Sequence, residues 1–276
     1  MLVTRFAPSP TGLLHLGHAY AALYAWSRAR QAGGRFLLRI EDIDAARCRE
    51  EFVAAIDEDL RWLGLDWDGA VRRQSRHLDD YRAALARLEA AGLVYPCFCT
   101  RADIAGALDA PQGPEGAIYP GTCRDLPSAE RAARMAAGVK FALRLDTAAA
   151  FARTGKLAWE DEAAGLVAAD PLALGDVVLA RKDAPTSYHL AVTIDDAAQG
   201  VSLVTRGIDL FAATHIHRLL QALLGLPTPL YSHHRLLVDA SGRRYAKRDR
   251  SLTLRALRQS GRSPEEVRAM AASAAT

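Results

Sequence analysis

The chain opens with a short apolar run, LVTRF, that reads as an extended strand. It passes through the breaker-rich PSPTG into HLGHAYAALYAWSRARQAG, whose composition suits a helix ending at Gly33 and Gly34. RFLLRIEDID reads as a second strand. A helix then runs from about Arg49 to Leu63, with Phe52, Ile56, Leu60 and Leu63 at three-to-four-residue spacing. A further helix carrying Leu78, Tyr81, Leu85 and Leu88 stops at Gly92. Strands alternating with helices predict an α/β fold built on a doubly wound parallel sheet.

The texture changes at VYPCFCT. From Cys97 to about Pro185 the chain is irregular, with the breaker-rich DAPQGPEGAIYPG, a helix around Ser128 to Ala137 and a strand-like VKFALRL. Alternation resumes through SYHLAVTIDDA, VSLVTRG and FAATHIHRLLQALLG, and an arginine-rich loop with two short helices follows Gly242. This divides the chain into a first half-core (1–94), an inserted α+β module (95–186), a second half-core (187–241) and a short helical C-terminal segment (242–276). No internal repeat is evident.

Half of the 276 residues are apolar, yet no run approaches the roughly 20 apolar residues that a membrane span needs, and MLVTRFAPSP lacks a signal-peptide pattern. The chain reads as a soluble cytoplasmic protein. A net charge of +3 permits a nucleic-acid partner without demanding one, although arginines clustered between Arg243 and Arg258 can neutralise a phosphate backbone locally. Only four of the 35 basic residues are lysines, Lys140, Lys156, Lys182 and Lys247, so a lysine carries some information here.

The turn between a first strand and its helix is where an open parallel sheet binds phosphate, because backbone N–H groups and the positive helix end meet there. His15-Leu16-Gly17-His18 sits at that turn. Two imidazoles can hydrogen-bond the phosphates of ATP, and the missing side chain of Gly17 lets a flat base approach. Read alone, the tetrapeptide fits a chance pair of surface histidines as well. Cys97 and Cys99, followed at a distance by Cys123, supply three thiolates for a metal in a loop too polar to fold on a core of its own. The residues leave a fourth donor open among Asp109, Glu115, Tyr119 and Asp125, and three inert hydrophobic thiols remain an alternative. Cys48 falls outside the pattern and reads as a plain helix residue. His233 and His234, adjacent on a strand, face opposite ways with no matching partners, and His215 and His217 stand two apart on a helix, so all four stay unassigned.

With these residues in view, RFAPSPTGLLHLGHA, RIEDID, RWLGLDWD, VTRGIDL and YSHHRLLVDASGRRYAKRD together resemble the glutamate and glutamine branch of the class I aminoacyl-tRNA synthetases, from one end of the core to the other. The resemblance implies a Rossmann-type core that activates L-glutamate with ATP and Mg2+ and passes it to a tRNA. It implies ATP binding by His15, Gly17, His18 and Lys247, with His15, His18 and Lys247 catalytic. It implies glutamate binding by Arg5, Phe6, Ala7, Pro8, Ser9, Glu41, Tyr188 and Arg206, with Glu41 accepting the α-ammonium. The second signature loop, Arg244 to Arg248, departs from the family, with arginine for the first lysine and alanine for the serine. That places the rate of activation in question more than the reaction.

Shorter members of the branch carry the cysteine and tyrosine pattern, which selects Tyr119 beside Cys97, Cys99 and Cys123 for one structural zinc. The chain ends 29 residues after Lys247, where full synthetases continue into an anticodon-reading module, and it has RGIDL where they usually have an RGEEH-like run. Both features resemble the short members that attach glutamate to queuosine in the anticodon of tRNA(Asp), whose cis-diol is like that of a terminal ribose. The expected partners are ATP, L-glutamate and queuosine-containing tRNA(Asp), served by a monomer. The alternatives are a truncated enzyme charging a tRNA 3′ end and a non-catalytic tRNA-binding relative.

Overall fold

The computed structural model describes residues 1–105, 112–113, 116–237 and 253–273. The first half of the core comprises β1 (Val3–Phe6), α1 (Leu16–Gln31), β2 (Arg35–Ile40), α2 (Glu50–Trp62), the two-residue β3 (Arg72–Arg73) and α3 (Leu78–Ala90). The three strands are parallel, in the order β1-β2-β3. Helix α1 turns Ala19, Ala22, Ala25 and Ala29 inward, all almost fully buried. Four methyl-sized side chains on one face bring helix and strand close enough for Thr4 Oγ1 to donate to the Ala25 carbonyl at 2.8 Å. After α1 the chain turns back tightly at Gly34, where a Cβ would collide with the Leu2 carbonyl.

Next come β4 (Val94–Cys97), α4 (Arg101–Ala105), β5 (Gln112–Gly113), β6 (Gly116–Ala117), α5 (Ser128–Ala136), β7 (Ala142–Leu145), α6 (Thr147–Thr154), β8 (Ala158–Asp161), β9 (Gly165–Ala168) and β10 (Val178–Ala180). Strands β10, β7 and β4 form a separate antiparallel sheet. The hairpin β8–β9 joins the core instead, because Asp161 pairs in parallel with Tyr231.

The second half supplies α7 (Tyr188–Ala198), β11 (Leu203–Gly207), α8 (Ala213–Leu224) and β12 (Leu230–His234), giving the strand order β11-β12-β8-β9. The two halves meet where Val3 N donates to Ser202 Oγ at 2.9 Å and Ser202 N to the Val3 carbonyl at 3.0 Å. Arg5 lies beside Thr205 in the same direction, so β1 and β11 run alongside each other. The expected parallel α/β core is present. Two short helices, α9 (Leu254–Gln259) and α10 (Pro264–Ser273), close the described chain, with Val267 and Ala271 in the cluster that also holds the α1 alanines. No helix among the described residues is long and apolar enough to cross a membrane.

Candidate active site and metal centre

The N-terminus of α1 is built by the HLGH tetrapeptide itself. His15 is the N-cap, its Nδ1 accepting from Gly17 N at 3.1 Å, and His18 Nδ1 accepts from His15 N at 3.2 Å. Each imidazole that accepts at Nδ1 carries its proton on Nε2 when neutral, so both rings present donors of the kind a phosphate oxygen takes. The rings lie 3.8 Å apart between centroids, and no acid occupies the first turn, which leaves the positive helix end open to an anion. A Cβ at Gly17 would sit 3.1 Å from the His15 ring, tight enough to push the cap aside. Thr253 forms a β-bridge to His15, and Leu254 N donates to the Leu14 carbonyl at 2.9 Å, so the chain re-enters beside this turn. Lys247, in the second signature loop, lies outside the described residues.

The candidate amino-acid pocket occupies the carboxyl ends of the parallel strands, where open α/β sheets bind ligands. Arg5 is near the end of β1, Glu41 follows β2, Arg206 is near the end of β11 and Tyr188 begins α7. Phe6 and Pro8 are buried, Ala7 is partly so and Ser9 is exposed. The Pro8 carbonyl accepts from Glu41 N at 3.0 Å, tying the loop after β1 to the loop after β2. Arg5 is bidentate to Asp196, with Nε 2.9 Å from Oδ1 and Nη2 3.3 Å from Oδ2, and its Nη1 donates to the Thr205 carbonyl at 2.9 Å. Fully buried Arg39 reaches the same Asp196 at 2.8 Å and lies 3.5 Å from Glu41 Oε1. Burial pushes the Glu41 carboxyl up to about 7, against the pull of Arg39 and Arg5.

Arg206 differs from both. It is only 6% exposed, yet among the described residues it has no carboxylate within ion-pair distance. Nε donates to His233 Nε2 at 3.1 Å, Nη1 faces His217 Nδ1 at 3.1 Å and the Tyr188 hydroxyl at 3.4 Å, and Nη2 donates to Thr214 Oγ1 at 2.5 Å. Among the described residues, the groups that meet this buried guanidinium are neutral acceptors.

The histidines left unassigned from the sequence therefore do have partners. His233 Nδ1 lies 2.7 Å from Asp161 Oδ2, and His217 Nε2 lies 3.3 Å from His189 Nδ1. His234 faces the other way and packs against Tyr20 and Tyr24 of α1, while His215 accepts from Trp159 Nε1 and Asp170 N. Thr214, His217 and Gln221 share one buried face of α8, which the sequence shows only as polar residues at helical spacing. The parallel register of Arg206 against His233, which puts both side chains on one face of the sheet, emerges only once the strands pair.

The sulfurs of Cys97, Cys99 and Cys123 all lie within 4.8 Å of one another, with Cys99 and Cys123 3.5 Å apart. A tetrahedral zinc with sulfur ligands separates them by about 3.8 Å, so the spacing fits the ion. The Tyr119 hydroxyl is 3.7 Å from Cys99 Sγ and accepts from Cys123 N at 2.7 Å, while its ring is covered by the Arg144 guanidinium at 3.9 Å. Lys182 Nζ holds the Phe98 carbonyl at 2.6 Å. Cys48 lies in the turn before α2 rather than in a helix, with its sulfur 4.0 Å from the Glu41 carbonyl. A groove of about 850 Å3 runs from Cys99 and Tyr119 to Tyr188, with Lys140, Arg144 and Lys182 along its walls.

This geometry can be set beside known proteins. The family model described as tRNA synthetases class I (E and Q), catalytic domain, matches residues 1–272. The chain belongs to that family, the glutamate and glutamine branch of the class I synthetases. Within it, the chain is 52% identical to the glutamyl-Q tRNA(Asp) synthetase of Rhodobacter capsulatus, over 97% of this chain and 98% of that one. It is 48% identical to the glutamyl-Q tRNA(Asp) synthetase of Nocardia farcinica, over 96% and 82%. Among solved structures, the glutamate-tRNA synthetase of Elizabethkingia anophelis superposes with a TM-score of 0.75 at 28% identity, over 90% of this chain and 53% of that one.

Proposed function

We propose that this protein activates L-glutamate with ATP and transfers it to queuosine in tRNA(Asp), acting as a single chain in the cytoplasm. The observation that carries the amino-acid half is the buried Arg206 guanidinium, whose hydrogen-bond partners among the described residues are all neutral. Glutamate brings two carboxylates and one ammonium, a net charge of −1 that suits an unpaired cation near Glu41; glutamine is neutral overall and leaves that cation uncompensated. Glu41 accepts the ammonium. Arg206, Tyr188 and the two N–H groups that Arg5 retains take carboxylate oxygens.

In activation, an oxygen of the glutamate α-carboxylate attacks the α-phosphorus of ATP and pyrophosphate leaves. Little covalent work falls to the protein, and positioning with electrostatic stabilisation does most of it. His15 and His18 donate from Nε2 to phosphate oxygens at the positive end of α1, and Lys247 follows charge onto the pyrophosphate, which is carried with Mg2+. A hydroxyl of the acceptor then attacks the acyl carbon and AMP departs. The groove between the cysteine cluster and Tyr188, walled by basic side chains, is the approach for the acceptor nucleoside. Cys97, Cys99, Cys123 and Tyr119 would hold one zinc, which supplies the folding energy of that wall and no step of the reaction.

The queuosine half rests on the likeness to glutamyl-Q tRNA(Asp) synthetases over almost the full length of both chains. Radiolabelled glutamate is expected to attach to tRNA(Asp) from cells that make queuosine, at the anticodon nucleoside, and not to tRNA from cells that cannot make it. Comparable charging of a 3′ end on queuosine-free tRNA(Glu) would replace this reading with an ordinary glutamyl-tRNA synthetase. Absence of ATP–pyrophosphate exchange with glutamate would replace it with a non-catalytic binder.

A further inference from the structure

We propose that Asp161 is a positioning residue for Arg206, acting through His233. A side chain delivered by the β8–β9 hairpin thus sets the geometry of the guanidinium in the amino-acid pocket. The inference rests on the reading of Arg206 as a ligand of glutamate.

Three observations make the chain directional. Asp161 and His233 are both sealed from solvent, with side chains 2% and 1% exposed. Asp161 Oδ1 accepts from Ala163 N and Ala164 N at 3.0 Å each, and Oδ2 accepts from His233 N at 3.2 Å. The carboxylate is therefore fixed by three backbone donors, two in the turn that joins β8 to β9 and one on β12. With Oδ2 also 2.7 Å from His233 Nδ1, an ionised Asp161 can only accept there, so the imidazole proton is held on Nδ1. His233 Nε2 is then a bare acceptor, and it meets Arg206 Nε at 3.1 Å.

The opposite tautomer would set an N–H of the ring against an N–H of the guanidinium. Asp161 thus determines which face His233 shows to Arg206. Burial and the adjacent Arg206 lower the His233 pKa to about 4, so the ring stays neutral in this role near pH 7. On the other side, His217 Nδ1 receives Arg206 Nη1, and Thr214 receives Nη2. Of the five N–H donors, those committed to His233, His217 and Thr214 fix the plane of the fork. The second Nη1 hydrogen is directed at the Tyr188 hydroxyl at 3.4 Å, and the second Nη2 hydrogen is left for a substrate oxygen. Neither Asp161 nor His233 belongs to the cysteine cluster.

Two measurements test the proposal. Nitrogen-15 NMR of the ligand-free enzyme near pH 7 is expected to show His233 protonated on Nδ1 and bare on Nε2. The reverse tautomer would overturn the proposal without reference to activity, even if the variants fail to fold. In glutamate-dependent ATP–pyrophosphate exchange, Asp161→Asn is expected to raise the KM for glutamate roughly ten- to hundredfold, the range for a lost hydrogen bond to a charged group. The KM for ATP and kcat should stay within about twofold. Adding His233→Gln should recover much of the glutamate KM, because its amide oxygen can accept from Arg206 without Asp161, a rescue that a purely structural role would not give. A folded Asp161→Asn enzyme with unchanged glutamate KM sinks the relay. Unchanged glutamate KM in Arg206→Ala would instead sink the pocket reading on which the relay rests.

Discussion

Arg39 and Arg206 are both buried guanidinium groups at the carboxyl end of one sheet, and they are held in opposite ways. Arg39 and its neighbour Arg5 share Asp196, with Asp195 and Glu41 close by, so their charge is answered inside the protein. Among the described residues, Arg206 is answered by two imidazoles, a threonine and a tyrosine, with the Asp161 carboxylate on the far side of the His233 ring. A cation neutralised at home is architecture, since it joins β1, β2 and α7 whatever is bound. One met by neutral groups retains its charge for an anion to answer, which is the role proposed for Arg206. The same residue type, equally buried, takes its role from its neighbours.

The largest expected effect comes from breaking the paired side. Asp196→Asn takes from buried Arg5 and Arg39 the carboxylate they share, leaving Arg39 only the longer contacts to Glu41 and Asp195, and should destabilise the fold by about 3 to 5 kcal/mol, read from chemical denaturation. A loss under about 1 kcal/mol would show that the pairing is not what holds these arginines. Breaking the unpaired side should do the reverse. Arg206→Met should leave stability unchanged or higher, because it removes a buried charge that has no carboxylate partner among the described residues, while the KM for glutamate rises about a hundredfold. Strong destabilisation by Arg206→Met would collapse the distinction between the two regions.

A smaller effect tests Glu41, which stands between them. Its carboxyl is raised to about 7 by burial, and only the ionised form accepts the substrate ammonium. Glutamate binding should therefore weaken as pH falls below about 7, approaching tenfold per unit, and strengthen to a plateau above it. Glu41→Gln should bind weakly with no such dependence, and a wild-type KM flat from pH 6 to 8 would remove Glu41 from the ammonium site. The smallest effect belongs to the cysteine cluster, where charge is to be answered by a metal rather than an arginine. Purified protein should carry about one zinc per chain, and Tyr119→Phe should weaken its retention under chelator without abolishing it. Full retention would take Tyr119 out of the shell.

The core was readable because its signals are local: the strand, breaker and helix at residues 3–31 carry their periodicity in consecutive positions. The HLGH turn was readable for the same reason, since its chemistry lies within four residues. The environment of Arg206 was not, because Asp161, Thr214, His217 and His233 come from three separate elements and no spacing along the chain links them. Adjacency on a strand correctly told that His233 and His234 face apart. It could not tell that Asp161 waits on the neighbouring strand. Arg39 was passed over as part of an apolar strand run, where full burial with a shared aspartate can be known only once α7 has packed.

The β8–β9 hairpin has a consequence for where this molecule can be cut and rejoined. A protein engineer who excised everything between the two half-cores as a removable cassette would discard Asp161 along with the cysteine loop, and the transplant would arrive with its amino-acid pocket slack. Boundaries drawn around β4 to β7 spare that hairpin. They part the cysteine loop from the strand whose Asp161 holds His233 against Arg206.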